Sequence, residues 1–411
     1  MRAFILISIL ALAALCAARP AQLPPPPQSF AGPAAPVPST YFGMHIHRPL
    51  TTTPWPSLHF RSLRLWDTGT TWAAIEPRKG VWQFETLDGL VDLAATHQIQ
   101  VLLCFGHTPG WAYSSLSAVG KKPGSPPPAS LDDWRTFVQT VVTRYKGRIG
   151  AYEIWNEPSL TEFYSGDVPT IVNMTQDAAA IIHSVDPSAL VVSPSATTVK
   201  GLPWFRQFLS DGGAAQVNVI GYHFYVTPDS PENIVALAQS VKAAMAEHHI
   251  DLPIWDTETG WAKPKLFSSD TEASSYVARS LLLAWASGIS RFYWYAWDNR
   301  NWTTLNLTAG DDYKPNANAQ AYDTIESWML GKQIERCTIR PDNTWVCDLT
   351  ASSGESWIFW NPVRKVPFQL PAAVKQITRW HMTDLNGHST RLNQNGLYAD
   401  IEPQMISIAP R

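Results

Sequence analysis

The sequence predicts an α/β chain: a closed (β/α)8 barrel of the TIM type followed by a small C-terminal β-sandwich domain. Three observations predict it. Eight short apolar runs recur along the chain, amphipathic stretches of helical length separate them, and after about residue 333 the helical pattern gives way to short runs divided by turns. The eight runs are residues 41–47, 61–67, 100–106, 150–156, 190–195, 217–225, 253–258 and 291–297. Helical periodicity is clearest over 87–96, 131–145, 170–185, 231–249 and 271–287. Strands that alternate with helices form βαβ units and a parallel sheet, and eight such units over this length fit one closed barrel. A doubly wound open sheet would carry a Gly-rich phosphate loop after its first strand, and Gly43-Met44-His45 offers none. The runs at 337–347, 355–360, 377–382 and 405–409 are the sandwich strands.

The chain has 411 residues, enough for one large domain and a smaller one. Four segments are expected: a signal peptide over 1–18, a Pro-rich linker over 19–40, the catalytic barrel over 41–332 and the sandwich over 333–411. Arg2, the apolar stretch from Phe4 to Leu15 and the small residues Ala17 and Ala18 make the leader a secretory signal, too short for a confident membrane span. The expected location is therefore secreted or periplasmic, with no stable membrane insertion once the leader is removed. Residues 19–40, including Pro24 to Pro27, read as an extended linker without a core of its own.

A formal net charge of −3 and the lack of a basic run argue against a nucleic-acid partner. The 19 tryptophans are unusual; most belong in a large core, and a few suit stacking against sugar rings. Cys337 and Cys347 flank a turn-like Pro-Asp-Asn and could form a disulfide between neighbouring strands, whereas Cys104 lies in an apolar run as a buried thiol. No His or Cys pair has metal-ligand spacing, so neither a metal nor a cofactor is expected.

In a barrel the chemistry belongs at the C-terminal strand ends. The fourth run ends Tyr152-Glu153-Ile154-Trp155-Asn156-Glu157-Pro158, where Pro158 breaks the ladder and leaves Glu157 at the barrel mouth. The seventh ends Ile254-Trp255-Asp256-Thr257-Glu258-Thr259-Gly260-Trp261, with Asp256 an in-register competitor of Glu258. Two carboxyls at the ends of nearly opposite strands suit glycoside hydrolysis, which needs one acid to protonate the leaving oxygen and one carboxylate to attack or to activate water.

These two strings resemble the catalytic signatures of clan A glycoside hydrolases, and residues 41–330 most resemble family 39 and its secreted exopolysaccharide-cleaving relatives. The resemblance implies that Glu157 is the acid/base and Glu258 the nucleophile of a retaining glycosidase. It further implies that Asn156 bonds the sugar 2-hydroxyl, that Arg64 lies buried beside the nucleophile, and that His223 and Tyr225 reach the site. The last two stand two apart on one strand and so share a face. His45 and His47 repeat that spacing and are assigned to the subsite of the cleaved sugar. They could instead be a weak metal pair, but no third ligand is evident. Trp297, then Trp294, are the expected stacking platforms, with Trp111 as a further cleft residue. Glu76, in the stretch from Trp72 to Asp88, is expected to be structural.

The expected activity is endo-cleavage, by a monomer, of an extracellular poly- or oligosaccharide. An exo-acting β-xylosidase-like enzyme and a non-catalytic carbohydrate-binding barrel are the alternatives.

Overall fold

The computed structural model describes residues 23–261, 267–299, 302–370, 374, 380–392 and 396–408. The expected signal peptide lies outside them. Eight parallel strands occur where the apolar runs predict: β1 (Phe42–Met44), β2 (Ser62–Leu65), β3 (Gln100–Cys104), β4 (Ala151–Glu153), β5 (Leu190–Val192), β6 (Ile220–His223), β7 (Ile254–Gly260) and β8 (Ile289–Tyr295). They pair in sequence order, and β8 returns to β1. The ring closes at the fifth strand, which is split. Leu190–Val192 pairs with β4, and its continuation Ala196–Thr197 pairs with β6. The chain is therefore a (β/α)8 barrel.

The outer helices form for ordinary reasons. In Leu131–Arg144, Ser130 caps the start by accepting from the Asp132 amide, and Asp132 and Asp133 complement the N-terminal end. Trp134, Phe137, Val138, Val141 and Val142 then make one buried stripe at helical spacing. Two helices without a clear sequence signal, Leu202–Ser210 and Ala317–Met329, complete the fifth and eighth units. Residues 45–61, between β1 and β2, run as turns and bends. Among the described residues no helix is long and apolar enough to cross a membrane.

After the last helix, an antiparallel seven-stranded sheet forms around Gln333–Ile339, Trp345–Ala351, Gly354–Trp360 and Gln404–Ile408. On one face, Val346, Trp357, Phe359, Phe368, Trp380 and Ile406 make a local core with the short pair Val366–Pro367 and Tyr398–Ala399. Residues on the other face, among them Trp345, Cys347 and Trp360, join the main core of the barrel. At that junction the Trp360 indole donates to Glu232 Oε1 at 2.7 Å, which also receives Arg279 at 2.9 Å. Cys337 and Cys347 stand opposite each other in the ladder and are disulfide-bonded.

The expectation of a free linker over 19–40 needs correction where it is described. Ser29–Phe30 adds a strand to the C-terminal sheet opposite Thr338 and Cys337. Val37 bridges Leu330 and is fully buried. Proline removes donors and keeps the pairing short, but Phe30, packed edge-on against Trp345, and Val37 supply apolar anchors that a coreless linker lacks.

Candidate active site

The barrel interior is layered. Leu102, Ala151, Val192, Val219, Trp255 and Tyr293 form an apolar floor. One strand period higher, side chains two residues further along the same strands point inward again. Cys104, Glu153, Thr257 and Tyr295 occupy those positions, and Arg64 of β2 reaches across the middle of them.

Arg64 is wholly buried and every donor it uses is directed. Nε meets Glu153 Oε2 at 2.6 Å, Nη1 meets Glu258 Oε2 at 2.7 Å, and Nη2 meets Asn156 Oδ1 at 2.8 Å. The Cys104 sulfur lies 3.4 Å from Nη2. A guanidinium is charged at any working pH and its fork suits two carboxylates at once. The other oxygen of Glu153 accepts from the Thr257 hydroxyl at 2.8 Å and from Ser195. Burial works against the charge on Glu153, but Arg64 and His223 outweigh it and hold the carboxyl at about 2.

Above this layer lie the two mouth carboxyls. Glu157 Oε1 is 2.8 Å from His223 Nδ1, and Glu258 Oε1 accepts from the Tyr225 hydroxyl at 3.1 Å. One carboxylate oxygen of Glu157, one of Glu258 and a ring nitrogen of His223 all lie within 4.8 Å of one another. That compactness would also suit a divalent cation, yet each group already has a protein partner in the contacts just given. Glu157 has φ 43°, in the left-handed region that a branched-free acidic residue occupies only under constraint. The turn aims its side chain over the barrel axis, and Pro158 follows at once.

Burial lifts the Glu258 carboxyl to about 7, against the pull of His223 and Arg64 and with a push from Glu157. Burial disfavours charge on the His223 ring too, but Glu258, Glu153 and Glu157 outweigh it and raise the ring to about 9. The pair of carboxyls thus shares one pocket with two cationic side chains, Arg64 on Glu258 and His223 on Glu157.

Glu258 owes its aim to an irregularity. Phe292 pairs with Asp256 but Trp294 pairs with Thr259, so β7 carries one extra residue there. The bulge lets the neighbours Thr257 and Glu258 both face inward. Asp256, expected on the same face as Glu258, turns outward instead. It accepts from Thr259 Oγ1 at 2.8 Å and the Phe224 amide at 3.4 Å, and burial lifts it to about 7.

The histidines of the first strand separate. His45 is buried and its Nε2 contacts the Thr257 carbonyl at 3.0 Å, bracing β7. His47 lies nearer the surface, between Asp298 (Nδ1–Oδ1 2.7 Å) and the Tyr295 hydroxyl (3.2 Å). Two tryptophan expectations are corrected. Trp294 alternates with the inward Tyr293 and Tyr295, and so packs outside the barrel in the main core beside Phe292. Trp297 is only 2% exposed, its backbone amide tied to the His45 carbonyl. Trp111 donates to the Glu76 carbonyl at 2.8 Å and packs edge-on against Trp72, under Lys79. The Glu76 carboxylate accepts from the Trp72 indole and the Gly80 amide, a structural use.

The indole presented at the mouth is Trp302, 45% exposed, edge-on to both Tyr225 and Tyr295. The Tyr295 hydroxyl donates to Asp67 at 2.8 Å and accepts from Asn299 at 2.8 Å. Sequence reasoning missed Trp302, Tyr295 and Asp67. The parity of β8 was the available signal for Tyr295; Trp302 lies in a loop with no periodicity to read.

A buried Arg shared between acids, two facing carboxyls and an aromatic rim at the C-terminal end of a (β/α)8 barrel define the glycoside hydrolase class of site. Residues 61–294 match the model of glycosyl hydrolases family 39, and the chain belongs to that family. It is 24% identical over 198 residues to a β-xylosidase of Caldicellulosiruptor saccharolyticus, covering 43% of this chain and 40% of that protein. It is 23% identical over 233 residues to a β-xylosidase of Geobacillus stearothermophilus, covering 49% and 46%. The matches thus span less than half the length of these relatives. A family 39 glycoside hydrolase structure from Bacteroides cellulosilyticus WH2 superimposes with a TM-score of 0.69 at 18% identity, over 85% of this chain and 76% of that one.

Proposed function

We propose that the chain is a retaining glycoside hydrolase that cleaves an extracellular poly- or oligosaccharide by double displacement. The observation that carries this reading is the approach of Glu157 and Glu258 oxygens to within 4.8 Å. Retaining enzymes hold their carboxyls about 5–5.5 Å apart, and inverting enzymes leave roughly 6.5–9.5 Å for a water. In the first step Glu258 attacks the anomeric carbon while Glu157 gives its proton to the leaving glycosidic oxygen, whose bond to that carbon breaks. In the second, Glu157 takes a proton from water, and the water oxygen displaces Glu258. Asn156, its carbonyl oxygen occupied by Arg64, has its amide N–H groups for a substrate hydroxyl. Such a bond counts for catalysis only as far as it strengthens in the transition state.

Endo-action is supported by an open cavity of about 420 Å3 beside Tyr295, bounded by His47, Asp67, Asp298, Asn299 and Trp302. It offers room for a sugar ring beyond the one being cleaved. The likeness to β-xylosidases favours exo-action as the second reading. Secretion or export to a periplasm is supported by the N-terminal composition and by the Cys337–Cys347 disulfide, since such bonds persist in oxidising compartments.

The experiment is product sizing on a panel of polysaccharides, joined to labelling with 2-fluoro glycosides. The reading expects internal cleavage products and a label on Glu258. Mostly monosaccharide product would favour the exo reading. Inversion at the anomeric carbon, or a label elsewhere, would sink the mechanism.

A further inference from the structure

Glu153 is wholly buried beneath the site. Its Oε1 is taken by the hydroxyls of Thr257 and Ser195, themselves 2.9 Å apart, and its Oε2 by Arg64. No substrate atom can reach it, yet it shares a single guanidinium with the nucleophile. The two contacts are nearly equal, 2.6 Å to Glu153 and 2.7 Å to Glu258. One cation between two equidistant anions cannot neutralise both.

We propose that Glu153 is a positioning residue that divides the charge of Arg64 and thereby keeps Glu258 from being over-stabilised as a carboxylate. The inference rests on the reading of Glu258 as a nucleophile. A nucleophile paired with an undivided buried guanidinium would ionise readily but attack poorly, because the charge it must donate is held by the cation. With Glu153 present, Arg64 orients Glu258 without claiming its full charge. The mid-barrel anion thus tunes the mouth residue one layer above it.

The groups that face Glu258 are Arg64 and Asp67 from the end of β2, Glu157 beyond β4, His223 and Tyr225 of the sixth unit, and Tyr295 of β8. His45 lies behind, against the Thr257 carbonyl. Among these, His223 works against the proposed effect. Loss of Glu153 would weaken the charge on His223, and that would make Glu258 harder to ionise. The geometry decides between the two routes. His223 Nε2 is 3.9 Å from Glu153 and makes no hydrogen bond, whereas Arg64 contacts both carboxylates directly. His223 pulls on Glu258 more than Arg64 does, but its link to Glu153 is the longer one, so what Glu153 changes passes through Arg64.

The test is a titration of the full-length protein carrying 13C-labelled glutamate carboxyls, with Glu258 assigned from its absence in E258Q. In E153Q the midpoint of Glu258 is expected to fall by about 1 pH unit, the effect of unmasking one neighbouring cation. E153D keeps the charge but withdraws it by one methylene, and should shift the midpoint the same way by less. It carries the test alone if E153Q does not fold. On whichever of an aryl xyloside, glucoside, galactoside or mannoside the wild type cleaves, the acid limb of kcat/KM should move with the midpoint, and kcat should fall while KM holds. A midpoint that stays or rises in a folded variant overturns the proposal, because a merely structural Glu153 would leave it in place. A wild type that hydrolyses no glycoside would sink the nucleophile reading, while the carboxyl titration would still decide the coupling.

Discussion

Among the described residues Tyr225 and Arg64 are the side-chain donors on Glu258, so each can be weighed by what its loss does to that carboxyl. Removing the hydroxyl in Y225F leaves a buried carboxylate short of one partner. A hydrogen bond to a charged group is worth about 1.5–3 kcal/mol, or on the order of tenfold to a hundredfold in kcat if it strengthens in the transition state. The expected result in steady-state kinetics is a kcat loss in that range with KM little changed. The Glu258 midpoint should rise, opposite in sign to E153Q; an unchanged kcat would show that the Tyr225 contact does nothing for the chemistry. At this scale the two catalytic candidates were legible because each sits beside a chain-breaking signal, Pro158 or Gly260. The aromatic rim was not. Trp294 and Trp297 carry the same side chain as Trp302, and only knowledge of which way β8 faces assigns the first to the core.

Among the elements, the bulge in β7 has the largest consequence for the site. Without the extra residue, strict alternation would turn either Thr257 or Glu258 away from Arg64. The C-terminal sheet has its own device, the Cys337–Cys347 bond across neighbouring strands with a sequence separation of 10. Closing so short a loop removes chain entropy worth about 2–3 kcal/mol from the unfolded state. The C337S/C347S double variant should lose about that much in guanidinium unfolding. Reductant should then have no further effect, Cys104 being free and buried. A variant as stable as the wild type would show that the bond is incidental to the sheet. Most helices were legible from their apolar stripes. Leu202–Ser210 has only nine residues, and Ala317–Met329 follows an irregular loop, so neither offers a long clean period.

For the whole molecule, the buried titratable groups give stability a direction with pH. His223 is raised to about 9 from 6.5, so its contribution is full below 6.5 and is lost as pH rises through 9. Glu258 and Asp256 are raised to about 7 from 4.5 and 3.8, so what they contribute in neutral form is lost as pH climbs to 7. Glu153 acts in the other sense. Held at about 2 against 4.5, it stabilises the fold above 4.5 and ceases to as pH falls toward 2. Three of these groups weaken the fold on going from pH 5 to 9, whereas His45 and His107, lowered by burial, favour it more as pH rises toward 6.5 and add no change above that. The urea midpoint is therefore expected to be higher at pH 7 than at pH 9, with a smaller difference in E258Q. A midpoint that rises toward pH 9 would contradict the burial of these charges.

The sequence by itself determined the repeating βα pattern, the eight strand positions and the carboxyls at the ends of the fourth and seventh. These depend on local periodicity and on chain-breaking residues, both of which can be read along one dimension. Tertiary structure decided everything that depends on facing: the sharing of Arg64 between Glu153 and Glu258, the outward turn of Asp256 and the choice of Trp302 over Trp297. It also decided that Ser29–Phe30 pairs with the C-terminal sheet and that Val37 bridges Leu330, so this stretch does not hang free. Glu153 stands four residues before Glu157 in the chain, and nothing local in that spacing says that it answers to Glu258, which approaches from across the barrel. Charges act through space, and in a closed barrel the nearest neighbours in space come from opposite ends of the sequence.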